Sequence, residues 1–265
     1  MKPNDHRIIR QPAVPVRLAC HSGEHNRSGR APAAEEGPGE RKAGNPENQG
    51  RQEESGVSDN SGKIILDLCG GSGAWSRPYK EAGYDVRLIT LPDYDVITYE
   101  PPDNVYGILA APPCTEFSLA KNGSPKPRKF EEGLEPVQAC LRIIWTCRLR
   151  HKLKFWALEN PVGYLRQFLG RPHYTFYQWW FGDLGIKRTD IWGYFNEPRQ
   201  QIAQRPNHPY FIKQYKSGKK NQFCWATPEC PEWAKEYIEG CENKRAALRA
   251  ITPPGFAKAF YEANR

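Results

Sequence analysis

The sequence predicts an α/β domain, a parallel sheet with helices on both faces, joined to a small irregular lobe. Three observations carry this. Apolar runs of five or six residues recur from Lys63 onward, separated by stretches with helical spacing. Strands that alternate with helices imply a parallel sheet covered on both sides. Residues 196–245 break the pattern, being polar, poor in aliphatics and basic at first through Arg199, Arg205, Lys213, Lys216, Lys219 and Lys220.

The first 62 residues hold no Phe, Trp or Tyr, so all 32 aromatics lie in the remaining 203 positions. The stretch 21–62 is Gly, Pro, Glu, Asn, Ser and Arg, with almost nothing to bury. It cannot offset the entropy of ordering and is expected to be a disordered leader. This leader is charge-balanced, with 9 basic and 9 acidic side chains. The net charge of +8 therefore belongs to residues 63–265, with 29 basic against 21 acidic. Such an excess suits a polyanionic partner.

From residue 63 the elements follow in order. Lys63-Ile-Ile-Leu-Asp-Leu68 fits a buried strand, Cys69-Gly-Gly-Ser-Gly73 a turn, and 74–82 a helix stopped by Gly83. Residues 85–90 and 105–110 read as the second and third strands, the latter running into Ala111-Pro-Pro-Cys114. A loop rich in Gly, Pro and Lys spans 118–133. Residues 134–151 have helical spacing, with Leu134, Val137, Leu141, Ile144 and Trp145 on one face and Cys140 and Cys147 turned to the sheet. Residues 154–158 form a further strand that ends at Glu159-Asn-Pro161. The last segment opens with Pro253 and Pro254, then turns helical. A catalytic domain over 63–195, completed by 246–265, with the lobe at 196–245 between them, is the expected division.

Several classes are excluded or disfavoured. No run of 18 apolar residues exists, so no membrane-spanning helix and no membrane partner are expected. The N-terminus lacks the apolar core of a secretory signal. Eight cysteines without an export signal argue for a reducing, cytoplasmic setting rather than a disulfide scaffold. Cys224, Cys230 and Cys241 with His208 lack a C-x2-C pair, and no metal site is expected. Nothing requires an oligomer, so a monomer is expected.

Three signals could carry chemistry. The glycine turn after the first strand lets a ligand approach the backbone and a helix N-terminus. It is not a phosphate loop, because no Lys-Ser/Thr follows. Cys114, at a strand end behind two stiffening prolines, is a candidate nucleophile. Glu159, also at a strand end, would point into the same crevice. Each has a plainer alternative: a tight turn, an inert buried thiol, and a Glu that favours a helix N-terminus.

Taken together, their order and spacing resemble the C5-cytosine DNA methyltransferase family. Asp67-Leu-Cys-Gly-Gly-Ser-Gly73 resembles the cofactor motif D-L-F-x-G-x-G-G, with Cys69 in place of the aromatic. Asp95-Val96 is similar to the pair that touches the cofactor's adenine. Pro113-Cys114 with Phe117-Ser118 resembles the nucleophile motif P-C-Q-x-F-S, and Glu159-Asn160 the E-N-V motif. Lys187-Arg-Thr-Asp-Ile-Trp192 resembles part of Q-x-R-x-R, with Arg188 at the first arginine and Asp190 where the second belongs. Pro253 to Phe260 is similar to the closing helix beside the cofactor. The likeness covers 63–195 and 246–265.

The resemblance implies a Rossmann-like methyltransferase sheet, S-adenosylmethionine as cofactor and DNA as partner. Cys114, Glu159 and Arg188 would be catalytic, with Lys187 available as a substitute cation. Asp67, Leu68, Cys69, Gly71, Gly73, Trp75, Asp95, Val96 and Pro113 would line the cofactor site. Pro113, Ser118, Lys121, Arg128 and Asn160 would meet the nucleic acid. Lys121, Lys126, Arg128 and Lys129 beside Gly123 and Gly133 would make the 118–133 loop a lid over a phosphate backbone. The lobe would recognise the target, its aromatics Tyr210, Phe211, Tyr215, Phe223, Trp225, Trp233 and Tyr237 serving either as stacking groups or as a small core. Two alternatives stay open: the same chemistry on RNA, and a nucleic-acid-binding relative without catalysis.

Overall fold

The computed structural model of the chain describes residues 59–150, 153–183, 187–205, 212–214, 220–222 and 230–265. Of the expected leader, residues up to 58 lie outside the described residues, as do His208, Cys224 and all lobe aromatics except Trp233 and Tyr237. Residues 59–62 are described, and Asn60 is buried and donates to Ala82 O at 2.9 Å, so the ordered chain starts before the expected boundary at 62.

The apolar runs form a six-stranded sheet. Its strands are β1 (Ile64–Leu68), β2 (Asp85–Ile89), β3 (Val105–Ala110), β4 (Phe155–Pro161), β5 (Tyr174–Tyr177) and β6 (Arg188–Tyr194), in the order β2-β1-β3-β4-β6-β5. β1 pairs in parallel with β2 and β3, and β3 with β4. β6 runs antiparallel to both β4 and β5, so the sheet is mixed rather than wholly parallel. β6 carries Asp190 at its centre, which hides a strand from a hydrophobicity reading. The acid is tolerated because Arg166 and Thr175 satisfy it. A separate two-stranded ribbon, β7 (Ile212–Gln214) and β8 (Lys220–Gln222), lies within the lobe segment.

Side chains of successive strand residues go to opposite faces, and the two faces have distinct cores. On one, Leu66, Leu68, Ile108, Leu158 and Trp192 meet Val137, Cys140, Ile144 and Cys147 of α2 (Phe130–Leu149). On the other, Ile65, Leu109, Ala157 and Ile191 meet Tyr79 of α1 (Arg77–Glu81) and the phenylalanines of a C-terminal helix. The remaining helices in chain order are α3 (Arg166–Leu169), α4 (Lys235–Gly240), α5 (Lys244–Ala250) and α6 (Pro254–Ala263). Phe256 of α6 stacks on Phe176 at 4.0 Å, and Phe260 sits edge-on to Trp75 at 5.3 Å. Burying each such ring contributes about 1.5–3 kcal/mol. Asp183 accepts bonds from the first free amides of α6, at Gly255 and Phe256, both 3.3 Å. Asn264 exchanges bonds with the Asn196 backbone at the other end, at 2.8 and 3.0 Å. The closing helix is thus tied to the sheet at both ends.

Two helices differ from expectation. α1 begins at Arg77 rather than Ala74, because Pro78 lacks an amide proton and fits only the first turn. α2 begins at Phe130, four residues early, with Glu131 and Glu132 in its first turn where the macrodipole favours them. Its inward face includes Cys140 and Cys147 as expected, but Trp145 is turned out to solvent, 52% exposed.

The chain leaves β1 for β2 on one side and crosses back to β3 on the other. The order reverses between β1 and β3, which opens a crevice beyond their carboxyl ends. The turn after β1 and the loop after β3 border it.

Candidate active site

The turn after β1 is built on a buried acid. Asp67 is fully buried, and its carboxylate accepts the Ser76 hydroxyl at 2.6 Å. Its other oxygen, Oδ1, has no partner among the described residues. Burial pushes the carboxyl up to about 6, opposed by the Ser76 bonds. The chain passes directly over this acid at Gly70, where a Cβ would lie 2.3 Å from the carboxyl carbon. Gly71 follows at φ +56°, and a Cβ there would meet the Tyr237 hydroxyl at 2.7 Å. Only glycine serves at either position.

Not every expected cofactor residue faces this turn. Leu68 is wholly within the core over α2, and Trp75 is 1% exposed between Phe256 and Phe260, so neither side chain can meet a ligand. The ring beside a glycine turn went to the core because α6 supplies two aromatic partners. Cys69 (φ +56°) packs toward the α2 core and hydrogen-bonds Cys140, which with burial holds the Cys140 thiol far above its ordinary value. Val96 is buried against the same core, while Asp95 is exposed and accepts the Ile97 amide at 2.9 Å. Gly71, Gly73 and the Asp67 carboxylate remain as the residues that shape the turn. The turn thus leaves one buried carboxylate oxygen without a partner beneath a bare glycine backbone, with the Tyr237 phenol beside it.

The loop after β3 is held from both sides. The Ala111 amide donates to Leu68 O at 2.9 Å, and the amides of Phe117 and Ser118 close on Cys114 O at 3.0 and 2.8 Å. Asn160 of β4 is fully buried and donates to Pro112 O at 3.1 Å, so it braces the loop rather than meeting a substrate. Ser118 bridges Gly163, and the Tyr164 amide donates to Phe117 O at 2.8 Å. Pro113 is exposed at the loop's crest and Cys114 is part-buried behind it. Burial pushes the Cys114 thiol up. Lys187 pulls it down, the Glu159 carboxylate raises it, and Arg249 lowers it. These contributions place Cys114, Glu159 and Lys187 in one electrostatic neighbourhood.

β4 continues through Pro161, so Glu159 lies in the strand rather than past it. It pairs with Ile191 of β6, and its side chain is 18% exposed. Burial pushes its carboxyl up, Lys187 lowers it, and Asp190 raises it again. Lys187 Nζ stands 3.9 Å from Glu159 Oε1.

Arg188 does not join them. The pleat sends it to the face opposite Ile191, where it is exposed with its guanidinium over Tyr177, 5.4 Å from the ring centroid. Lys187, one residue earlier, is the cation that reaches the acid. Asp190, at the expected second arginine, is fully buried and gripped by Arg166 at 2.6 Å to each oxygen. Two of the four expected lid cations are also committed. Lys121 pairs with Glu116, and Arg128 donates to Glu116 O, to Ser118 O at 2.9 Å and to Asn122 Oδ1 at 2.7 Å. Ser118 accepts the Ala120 amide at 3.2 Å. Lys121 and Arg128 therefore pin the loop to itself instead of facing a phosphate, because Glu116 collects them.

Sequence reasoning did not single out Arg166, Glu116 or Tyr237 for these roles. Arg166 opens a helix of four residues, too short to show a period, and Tyr237 belongs to α4 in the lobe segment. Among the described residues no helix is long and apolar enough to cross a membrane. No family model matches the chain, and a search of curated proteins found no match.

Proposed function

We propose that the chain is an S-adenosylmethionine-dependent DNA (cytosine-5-)-methyltransferase with a Rossmann-like methyltransferase sheet, acting as a monomer in the cytoplasm. The observation that carries this reading is the convergence of Cys114, Glu159 and Lys187 beside a crevice at the sheet's reversal point.

C5 of cytosine is a weak nucleophile, and addition at C6 makes it enamine-like. The Cys114 thiolate forms the Sγ–C6 bond, and Lys187 and Arg249 favour that thiolate against the cost of burial. Glu159, its carboxyl raised by burial, holds the proton that steadies N3 as charge enters the ring. The Lys187 ammonium faces the pyrimidine O2. Asn160 keeps Cys114 aimed by holding Pro112 O. S-adenosylmethionine, when bound, supplies the methyl group as an electrophilic carbon. The glycine turn over Asp67, with Tyr237 at its mouth, would hold it, and the exposed Asp95 is the acid left free to meet its ribose or adenine. Loss of the C5 proton and cleavage of Sγ–C6 return the thiolate. The base must be flipped out or single-stranded to enter.

The test uses an oligonucleotide in which cytosine C5 carries fluorine, which cannot leave as a proton does. With S-adenosylmethionine the wild type should give a denaturant-stable protein–DNA adduct. Cys114→Ala should give none, yet bind the oligonucleotide normally. A folded wild-type protein that forms no adduct and methylates neither DNA nor tRNA would falsify the proposal.

A further inference from the structure

β5 ends and β6 begins side by side, at the end of the sheet that carries Cys114 and Glu159. Tyr177, the last residue of β5, pairs in register with Arg188, the first of β6. The Arg188 guanidinium lies 5.4 Å from the Tyr177 ring centroid. Trp179, on the 3₁₀ turn Gln178–Phe181, stands 6.0 Å from Tyr177 and 6.2 Å from Trp180. Trp180 and Phe181 pack into the core under α6, whereas Tyr177 and Trp179 belong to neither core cluster. Two large aromatic rings thus lie outside both cores, packed on each other, on Trp180 at 5.9 and 6.2 Å, and under a cation.

The cation is available. Arg188 is exposed, and among the described residues it forms no ion pair, unlike Lys121, Arg142, Arg150 and Arg166. Its chain neighbour Lys187 reaches Glu159 at 3.9 Å. β5 lies two strand spacings from β4, roughly 10 Å. Arg188 leaves the sheet on the face opposite Glu159, so a strand that crosses the open end of the sheet from a base held at Glu159 meets this patch on the far side. Half-exposed rings interleaved with an unpaired guanidinium, on a domain with 29 basic and 21 acidic residues, match a nucleic-acid strand: flat bases stack and phosphates take the guanidinium.

We propose that Tyr177, Trp179 and Arg188 form a platform for a nucleotide that flanks the target cytosine on its strand, with its base on the rings and its phosphate on Arg188. The identity of the target rests on the methyltransferase reading; the platform as a single-strand site does not.

The experiment measures binding of a fluorescein-labelled, cytosine-containing single-stranded DNA 12-mer to the full chain by anisotropy, across a KCl series. Wild type, Arg188→Gln and Trp179→Ala are compared, with thermal melts as the check of folding. Arg188→Gln should weaken binding and make the slope of log K against log salt shallower by about 0.7, one phosphate contact on a single strand. Trp179→Ala should weaken binding roughly 5- to 150-fold, the worth of one stacked base, and leave the slope unchanged. Should Trp179→Ala unfold, the exposed Arg188→Gln change decides by its slope alone. Wild-type affinity and slope in the folded variants overturn the platform. Methyl transfer, followed with labelled S-adenosylmethionine, separates the two ideas. Platform-dependent binding without methyl transfer by the wild type removes the enzyme and keeps the platform. Methyl transfer with folded variants that bind and turn over normally does the reverse.

Discussion

Two adjacent cations precede Thr189, and only one can share a face with Glu159. The sequence displays both, and a motif reading favours Arg188. The phase of the pleat, fixed by pairing Glu159 with Ile191, hands the position to Lys187. Lys187 also stabilises the Cys114 thiolate. Lys187→Met should raise the thiol further, shifting the alkaline limb of Cys114 alkylation by iodoacetamide to higher pH and slowing the reaction near neutrality, as peptide mass spectrometry would read. Glu159→Gln keeps a neutral side chain but cannot exchange a proton, and should cost on the order of 10²–10⁴ in methyl transfer. Asp67 makes a separate prediction. Its folded value, about 6, lies above the ordinary 3.8, so its contribution to stability is fully present below pH 3.8 and lost as pH rises through 6. Two units correspond to roughly 3 kcal/mol. Asp67→Asn should therefore flatten the fall in melting temperature between pH 4 and 7, as a pH series of thermal melts would show.

At the scale of elements, the cysteine loop depends on a close passage. A Cβ on Gly163 would lie 2.3 Å from Phe117 O, at the bridge that joins the loop to the exit of β4. Gly163→Ala should cost about 1–3 kcal/mol in denaturant titrations and lower activity by moving Cys114. Glu116 is the other fastening. It gathers Lys121 and the Lys129 amide and is drawn below the usual carboxylate range, first by the Lys121 hydrogen bond and then by the Lys129 amide. Glu116→Gln should loosen the loop and speed trypsin cleavage after Lys121 and Lys129, with the folded core intact by circular dichroism. The loop's cations looked free in the sequence because the partner that collects them sits 5 and 12 residues away, and only the folded-back path brings it near. The strands themselves were legible for the opposite reason. β1, β3 and β4 are buried runs whose apolar content marks them locally. Trp75 was not, since an aromatic beside a glycine turn serves a ligand or a core equally well until α6 arrives from 180 residues onward.

Across the whole molecule, strand content and the two covered faces follow from alternation, but the direction of β6 does not. Direction depends on how the chain returns after β5, which no local pattern encodes. The charge of residues 63–265 gives the molecule a field that should make any nucleic-acid binding fall steeply with salt, a dependence that the KCl series reads for the wild type as well. β6 begins where β1, β3 and β4 finish, so the segment that feeds it enters the sheet from the open side of the crevice. Residues inserted or removed ahead of Lys187 change what the chain can present at that opening and leave every register untouched. The aperture can be widened, narrowed or re-equipped by grafting a single connection, while the scaffold that aims Cys114 keeps its dimensions.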